Sequence, residues 1–392
     1  MNNSVLHLSH TDVRADSRIL KELDAIEGIG SLDIFAVGVD RNEGVKNHDA
    51  LRHVHVDTLS LRTLKLIKLL PRPLRLFTGV IFLVPLELWL RLIIRGTKLR
   101  PTIIHCHDAL CLPAAWAIKI IVKSRLIYDA HELESQTNGQ RPLFSKMTFF
   151  FERVIWKHIS LFISVSPSII NWYNTNLGEK KSILILNSPV IKQKKISPSD
   201  VVNRENLRDV FNIPQGSLIF VYVGILMKGR GINIYLDAFS NPPVNAHLIF
   251  VGYGELSELI SRTAETCTNI HLHAPVPHDR LVGLLASADF GLCLIENVSL
   301  SDYYCLPNKL FEYAFAGLKV VVSKFPDMDQ IVSQYQLGMS CDVDKESLRQ
   351  LVLRCESQDL VHCVSDITDL SWEAQSARLT SAYRELLNGQ PK

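Results

Sequence analysis

Short apolar runs alternate with amphipathic helical patterns along most of the chain. This alternation favours parallel β-sheets covered by helices over an all-α or an all-β fold. In the first half it predicts strands over Val5–Leu8, Ser31–Val37, His53–Val56, Thr102–Cys106, Leu126–Asp129, Leu161–Val165 and Ile183–Leu186. In the second half it predicts strands over Leu218–Val223, His247–Val251, Ile270–His273, Phe290–Ile295, Val320–Ser323 and Met339–Cys341.

The chain has 392 residues, which is enough for two domains that each bury a core. The polar, proline-containing stretch QKKISPSD at 193–200 is the best linker between the two halves. We therefore predict a first domain over 1–190, a linker over 191–200 and a second domain over 201–371. A last helical pattern follows over 372–388.

One segment, 303–323, combines a turn, a short apolar helix, a glycine stop and a buried strand. Pro307 and Asn308 supply the turn and an N-cap, and Gly317 ends the helix. Glu312 lies about one turn from the N-terminus, where backbone amides and the helix dipole favour anions. It could bind a ribose diol while the amides bind a phosphate, or it could simply complement the dipole.

Composition is that of a globular enzyme, with 47% hydrophobic and 21% charged residues. The net charge of +2 is unevenly distributed, because residues 1–190 hold 24 Lys or Arg against 17 Asp or Glu. A basic first half and an acidic second half suggest modules with different partners, and we expect no nucleic acid among them. The eight cysteines follow no disulfide or zinc spacing, so we expect them reduced.

The segment from Leu61 to Arg100 departs from this pattern because it is both apolar and basic. Pro85 and Glu87 interrupt its apolar run LFTGVIFLVPLELWLRLII, which falls short of the ~20 apolar residues that span a bilayer. We expect either contact with an anionic membrane surface or a buried helix with solvated charges. The basic residues are Lys65, Lys68, Arg72, Arg75, Arg91, Arg95, Lys98 and Arg100.

Seven fragments carry a recognisable order along the chain: HCHDALCLPAAW (105–116), YDAHELES (128–135), SVSPSI (164–169), VYVGILMKGRGINIYLDAF (221–239), VGYGEL (251–256), ASADFGL (286–292) and PNKLFEYAFAGLKVVVS (307–323). In this order they resemble retaining family 4 glycosyltransferases (glycosyl transferases group 1). The resemblance implies a GT-B fold, an α/β architecture of two Rossmann-like domains facing a central cleft. The first domain would be the acceptor side, the second would bind the nucleotide sugar, and the last helix would pack back on the first.

Sugar transfer from a nucleotide diphosphate needs cations for the leaving pyrophosphate. The family has an Arg just after the strand glycine and a Lys before the helix glycine, whereas this chain has Ile225 and Arg230 there. Lys228 or Lys309 could replace the missing cation. Arg230 itself could instead be a solvated loop charge. The resemblance implies a donor site containing Gly224, Lys228, Gly229, Gly231, Gly252, Gly254, Val276, Tyr304, Asn308 and Lys309.

The family's E-x7-E pair is half present, because Tyr304 stands eight residues before Glu312. A tyrosine hydroxyl could still hydrogen-bond a sugar. The turn VGYGEL lacks the third glycine of a dinucleotide fingerprint, so NAD has little support. Asp342 and Asp344 form a nominal D-x-D far from the donor segment, and we expect neither a metal nor another cofactor.

In the first domain, the resemblance places His131 close to the donor sugar and its phosphate, although a structural histidine is the alternative. His107 and Asp108 could line the cleft, whereas His105 is expected to be packed. On the acceptor side Asp12, Arg14, Asp16 and Arg18 could meet acceptor hydroxyls or a phosphate, and Asp16 or Ser17 could instead cap a helix. His131, Arg230 and Glu312 are the predicted catalytic residues.

We therefore expect a hexosyltransferase that uses a UDP- or GDP-sugar and a glycan or lipid-linked acceptor, with retention, in bacterial surface polysaccharide assembly. A nucleotide-sugar epimerase of similar fold and an inactive sugar-nucleotide-binding scaffold are the alternatives. The apolar run Leu6–Ser9 is too short for a signal peptide and is followed by charged residues. We expect a cytoplasmic protein that can lie on the inner face of the membrane.

Overall fold

A computed structural model describes residues 3–30, 32–41, 53–69, 82–190, 206–241, 245–357 and 366–388. The chain divides into two compact units. Unit 1 comprises Met1–Leu186 and Ala374–Lys392, and unit 2 comprises Asn187–Glu373. The predicted linker over 191–200 lies outside the described residues.

Unit 1 contains a sheet of seven parallel strands in the order β3-β2-β1-β4-β5-β6-β7. These are β1 (Asn3–Leu8), β2 (Leu32–Val39), β3 (Val54–Leu59), β4 (Ile103–His107), β5 (Arg125–Ala130), β6 (Leu161–Ser164) and β7 (Ser182–Leu184). Every strand predicted for this half is present, with small shifts at the ends. The central strand β4 is buried along its whole length, as expected for a parallel strand covered on both faces.

The helices of unit 1 follow the strands and begin at recognisable caps. The Asp16 side chain accepts hydrogen bonds from the backbone N–H groups of Arg18 and Ile19, so Asp16 is the N-cap of α1. The helices are α1 (Ser17–Glu27), α2 (Arg62–Leu69), α3 (Val84–Leu99), α4 (Asp108–Val122), α5 (Pro142–Ile155) and α6 (Pro167–Leu177).

Unit 2 has six parallel strands in the order β10-β9-β8-β11-β12-β13, and all six were predicted. They are β8 (Leu218–Val223), β9 (Ala246–Val251), β10 (Ile270–His273), β11 (Phe290–Cys293), β12 (Lys319–Ser323) and β13 (Gly338–Cys341). Its helices are α7 (Leu207–Val210), α8 (Ile232–Phe239), α9 (Ser257–Thr266), α10 (His278–Leu285), α11 (Leu300–Tyr303), α12 (Asn308–Phe315), α13 (Pro326–Gln334) and α14 (Lys345–Ser357). The last helix, α15 (Trp372–Asn388), belongs to unit 1 from Ala374 onward.

The order of strands reverses between β1 and β4 in unit 1 and between β8 and β11 in unit 2. In open α/β sheets, ligands bind outside the carboxyl ends of strands at such a switch point. Polar side chains at the two switch points are therefore the first candidates for binding a ligand.

The segment from Leu61 to Arg100 is helical where the structure describes it, and Arg72 and Arg75 lie outside the described residues. Helix α3 buries Leu88, Leu92 and Gly96. Among the described residues, no helix combines the length and apolar character needed to cross a bilayer. Other apolar residues of α3 are exposed, namely Leu86, Leu90 and Ile94.

Gly291 in β11 allows helix α12 to pack directly on the sheet. A Cβ atom at Gly291 would lie 2.2 Å from the Tyr313 ring. That ring is fixed, because the Tyr313 hydroxyl accepts a hydrogen bond of 2.8 Å from the Val223 N–H and donates one of 3.3 Å to the Leu292 carbonyl.

We therefore expect Gly291→Ala to lower the free energy of unfolding by ~1–3 kcal/mol through overpacking. Urea unfolding, followed by the near-UV signal of the aromatic residues, measures the effect. Gly28→Ala is the matched control, because a Cβ there meets nothing closer than 3.7 Å. A Gly291→Ala midpoint equal to that of the control would contradict this packing.

Candidate functional site

In unit 2, the loop after β8 is shaped by glycines and by one acidic side chain. Gly231 has φ of +71° and is the N-cap of α8. Its backbone N–H donates to Glu296 Oε1 at 3.2 Å, and the Glu296 N–H donates to the Gly229 carbonyl at 3.1 Å. The loop that carries Arg230 is therefore fixed from the end of β11.

Gly252 and Gly254 support this loop from the neighbouring strand. A Cβ atom at Gly252 would lie 2.0 Å from the Gly224 carbonyl oxygen, and one at Gly254 would lie 2.3 Å from the Leu226 carbonyl oxygen. The loops after β8 and β9 thus pack backbone against backbone. These glycines are required by that contact, whatever ligand lies nearby.

Lys309 lies close to the carboxyl end of β8. Its Nζ atom lies 3.8 Å from the centre of the Tyr222 ring, a cation–π contact, and 3.6 Å from where a Cβ on Gly224 would be. Burial lowers the pKa of Lys309 to about 8, and the nearby positive charge of Arg230 adds to this effect. The Glu312 carboxylate acts on the pKa of Lys309 in the opposite direction and raises it.

Arg230 lies in the same region of unit 2 as Lys309. Arg230 is 37% exposed, and its Nη1 atom lies 3.6 Å from Asp302 Oδ1. Burial raises the pKa of the Cys293 thiol to about 11, while Lys309 and Arg230 act in the opposite direction. Both cations therefore lie close to the end of β11. Lys228 and Ile225 are exposed, in contrast to Lys309.

Glu312 is buried at the fifth position of α12, just beyond the first turn. The predicted N-cap is wrong, because Pro307 is the N-cap and Asn308 is the first helical residue. The end of the helix is as predicted, since Gly317 follows it with φ of +84°. Electrostatic interaction with Lys309 places Glu312 in the same group as the two cations.

Two other predicted donor residues, Tyr304 and Val276, are only partly buried. Tyr304 follows α11 and is half-buried, with its ring centre 5.4 Å from that of Tyr303. Val276 lies in the segment after β10. Asp344 accepts a hydrogen bond from the Ser347 N–H at the start of α14, so it has a capping role.

In unit 1, three imidazole rings are stacked inside the sheet at its switch point. His7 of β1 pairs in register with His105 of β4, and His107 follows two residues later, so all three project to one face. All three are fully buried. His7 Nδ1 lies 2.9 Å from His107 Nε2, and His105 Nδ1 lies 2.6 Å from the hydroxyl of Tyr383 on α15. His107, which was predicted as a residue that could line the cleft, is thus fully buried at the end of β4.

Asp129 at the end of β5 is the buried anion of this group. Arg18 donates to both of its oxygens, at 2.9 and 3.1 Å, and its Nε atom also lies 3.0 Å from Glu22 Oε1. Burial alone would raise the pKa of Asp129, but Arg18 and His131 outweigh it and hold that pKa well below its usual value. Arg18 is therefore a buried counter-ion of Asp129.

His131 follows β5 and its side chain is 21% exposed. Its Nε2 atom lies 3.2 Å from Asp129 Oδ2 and its Nδ1 atom lies 3.3 Å from Asp108 Oδ1. Burial disfavours a charged ring, but the two carboxylates outweigh it and raise the pKa of His131 to about 9. Both ring nitrogens thus face carboxylates.

The remaining acceptor-side candidates pair with one another. Arg14 donates to both oxygens of Asp12, at 2.9 and 2.6 Å, and to Asp40 Oδ1 at 2.9 Å. Sequence reasoning missed His7, Asp129 and Tyr383 as members of the buried group in unit 1. The strand-end position of Asp129 beside His131 was the signal that could have identified it.

Comparisons with known proteins agree with this architecture. Residues 217–357 match the family model of glycosyl transferases group 1. A chitobiosyldiphosphodolichol beta-mannosyltransferase from Candida albicans is 22% identical over 248 residues, which cover 58% of this chain and 53% of that protein. The alignment therefore spans about half the length of this relative.

Solved structures of similar fold cover nearly the whole chain. Sucrose-phosphate synthase from Thermosynechococcus elongatus has a TM-score of 0.74 at 14% identity, covering 98% of this chain and 99% of that one. The Anabaena protein HepE in complex with UDP-glucose has a TM-score of 0.69 at 15% identity, covering 97% and 99%. The predicted fold class is confirmed. The chain has a GT-B fold, and its residues 217–357 match the family model of glycosyl transferases group 1.

Proposed function

We propose that this protein is a glycosyltransferase that moves a hexose from a UDP- or GDP-sugar to a glycan or lipid-linked acceptor, with retention at the anomeric carbon. The observation that carries the proposal is the group of Arg230, Lys309 and Glu312 at the switch point of unit 2, inside the residues that match glycosyl transferases group 1. The UDP-glucose complex of HepE, a protein of similar fold, supports a nucleotide-sugar donor.

The side chains of this group stabilise charge and bind the ribose in the proposed reaction. The bond between the anomeric carbon and the pyrophosphate oxygen breaks, the acceptor oxygen bonds to that carbon, and the acceptor proton leaves with the nucleoside diphosphate or to solvent. Arg230 and Lys309 stabilise the charge that develops on the pyrophosphate. Lys309 replaces the cation that is absent at Ile225, and Glu312 accepts hydrogen bonds from the ribose.

The experiment that tests the function is product analysis with a panel of UDP- and GDP-sugars, with and without a bacterial membrane extract as the acceptor source. We expect release of nucleoside diphosphate and labelled glycan or glycolipid only when the acceptor is present. An epimerase would convert the donor without acceptor, and an inactive scaffold would bind it unchanged. Either outcome would overturn the proposal, whose setting is bacterial surface polysaccharide assembly.

Glu312→Ala should weaken nucleoside diphosphate binding by about 1.5–3 kcal/mol, because it removes a charged hydrogen-bond acceptor. Isothermal titration calorimetry with UDP and GDP measures the loss. Glu258→Ala is the matched control, since Glu258 is 77% exposed on α9 and pairs only with its helical neighbour Arg262 among the described ion pairs. Wild-type affinity in Glu312→Ala would remove the ribose assignment.

Binding of nucleoside diphosphate should weaken as the pH rises through about 8. The pKa of Lys309 is lowered to about 8, so its ammonium is charged below that pH and neutral above it. Lys309→Met should bind weakly across the whole range and show no such transition. Lys324→Met, which changes an exposed lysine of the same unit, should keep it. A wild-type affinity that is flat across this pH range would exclude Lys309 as the phosphate cation.

We also propose that α3 of unit 1 rests on the inner, anionic surface of the cytoplasmic membrane. A helix in an ordinary core exposes its polar face, whereas α3 exposes Leu86, Leu90 and Ile94. Arg95 and Lys98 are exposed on the same helix and suit anionic headgroups, whereas Arg91 pairs with Glu87 at 2.6 Å; Arg95 also contacts Asp57 at 3.1 Å. The adjacent helices α4 and α5 also expose apolar side chains, namely Ile120, Ile121, Leu143, Phe150 and Val154.

Wild-type protein should therefore co-sediment with phosphatidylglycerol vesicles, less with phosphatidylcholine, and less at high salt. Replacing Leu86, Leu90 and Ile94 together by Ser should abolish sedimentation without loss of fold, since all three are exposed. The control carries the same change at three exposed apolar residues of unit 2, Leu259, Val298 and Leu353. If wild-type protein stays in the supernatant at low salt, the acceptor is more simply a soluble glycan.

A further inference from the structure

We propose that Glu296 is a positioning residue for the donor phosphate, because it fixes the loop that carries Arg230. This inference rests on the proposed function, in which Arg230 stabilises the charge that develops on the leaving pyrophosphate. Glu296 lies outside the seven fragments that carry the family resemblance, so the resemblance assigned it no role.

Glu296 contacts the residues on both sides of Arg230. Its Oε1 atom accepts a hydrogen bond of 3.2 Å from the Gly231 N–H, and its own N–H donates one of 3.1 Å to the Gly229 carbonyl. Gly229 and Gly231 are both buried, and their φ angles are +82° and +71°, which glycine adopts without strain. One residue therefore fixes the backbone immediately before and immediately after the arginine.

The Glu296 side chain also supplies an acceptor that the start of helix α8 lacks. Gly231 is the N-cap of α8 and has no side chain of its own for capping. In a capping box the third helical residue accepts a hydrogen bond from the N-cap N–H, but here that residue is Ile234, which cannot accept one. Glu296 accepts that hydrogen bond from the segment after β11 instead, and its negative charge suits a helix N-terminus.

The same end of α8 is packed against the segment after β11. A Cβ atom at Gly231 would lie 3.0 Å from the Leu294 carbonyl oxygen. The hydroxyl of the fully buried Tyr235 accepts a hydrogen bond of 2.6 Å from the Leu294 N–H. Because these contacts do not involve the Glu296 side chain, removing that side chain should change the loop and leave the fold intact.

A second glutamate holds the beginning of the loop. The Lys228 N–H donates a hydrogen bond of 3.2 Å to Glu255 Oε1, in the loop after β9. A carboxylate oxygen that accepts from a backbone amide takes the place that a phosphate oxygen would need, and it repels a second anion there. The contact with a phosphate then depends on where the loop places the Arg230 side chain.

The guanidinium of Arg230 is not held rigidly by its own ion pair. Its Nη1 atom lies 3.6 Å from Asp302 Oδ1, which is longer than a hydrogen bond. Asp302 itself is fixed, because its other carboxylate oxygen accepts a hydrogen bond of 2.7 Å from the Ser299 hydroxyl. The position of the Arg230 backbone, set by Glu296, therefore decides how closely the guanidinium can approach a phosphate.

The test measures UDP and GDP binding to the full-length protein by isothermal titration calorimetry in a double-mutant cycle. Glu296→Ala should weaken binding about tenfold, because Arg230 loses its fixed position. Arg230→Ala should also weaken binding, and adding Glu296→Ala to it should cause no further loss. Equal losses from Glu296→Ala with and without Arg230 would overturn the proposal, since Glu296 would then act independently of the arginine.

Glu296→Gln provides the conservative rescue. Its amide oxygen can still accept from the Gly231 N–H, so binding should return to within about threefold of wild type. Amide hydrogen exchange in the free protein is a second readout. The Gly231 N–H should be protected in wild type and in Glu296→Gln, and should exchange faster in Glu296→Ala. Fast exchange of this amide in wild type would overturn the positioning role.

Glu258→Ala, at an exposed position of α9, is the matched control and should bind as wild type does. If wild-type protein binds neither nucleotide, the proposed donor fails and this role fails with it. If Arg230→Ala weakens binding and Glu296→Ala does not, only the positioning role fails.

Discussion

Parallel pairing places the carboxyl ends of neighbouring strands side by side, and both polar groups of this protein depend on that constraint. In unit 1 the ends of β1, β4 and β5 bring His7, His107 and Asp129 together from positions far apart in sequence. In unit 2 the ends of β8 and β11 bring the Arg230 loop close to Lys309. Each group lies where its sheet reverses its strand order, which is where such sheets leave room for a ligand.

The buried charge of Asp129 then determines much of the interior of unit 1. An uncompensated carboxylate would be strongly destabilising there, and Arg18 supplies a bidentate partner from α1. Arg18 in turn lies against Glu22 and donates to the Ile185 carbonyl at 3.2 Å. Burial and the nearby Asp129 raise the pKa of Glu22 well above its usual value, while Arg18 acts in the opposite direction. Helix α1, strand β5 and the segment after β7 are thus tied to one anion.

The sequence was sufficient to predict the strands of both sheets, because parallel strands buried on both faces are continuous apolar runs. Details set by contacts between distant residues were beyond it. His105 was expected to be packed, but nothing local indicated that Tyr383, 278 residues away, would contact it. The N-cap at Asn308 was misplaced by one residue, which is the usual precision for helix ends. Nothing local indicated that Arg18 on α1 would pair with Asp129 of β5, 111 residues away.

The cations of the proposed donor site show that a site can have its positive charge even where the sequence motif for that charge is incomplete. A comparison position by position finds Ile225 where the resembling enzymes have an arginine, and this suggests a lost function. The structure places the Lys309 ammonium beside Gly224, the residue before Ile225. Lys309 itself comes from helix α12, whereas Gly224 and Ile225 lie in the loop after β8. A phosphate responds to the position of a charge and not to the strand or helix that supplies it. The loop backbone is held by the close approach of Gly252 and Gly254, so the cation can come from α12 while the loop keeps its shape.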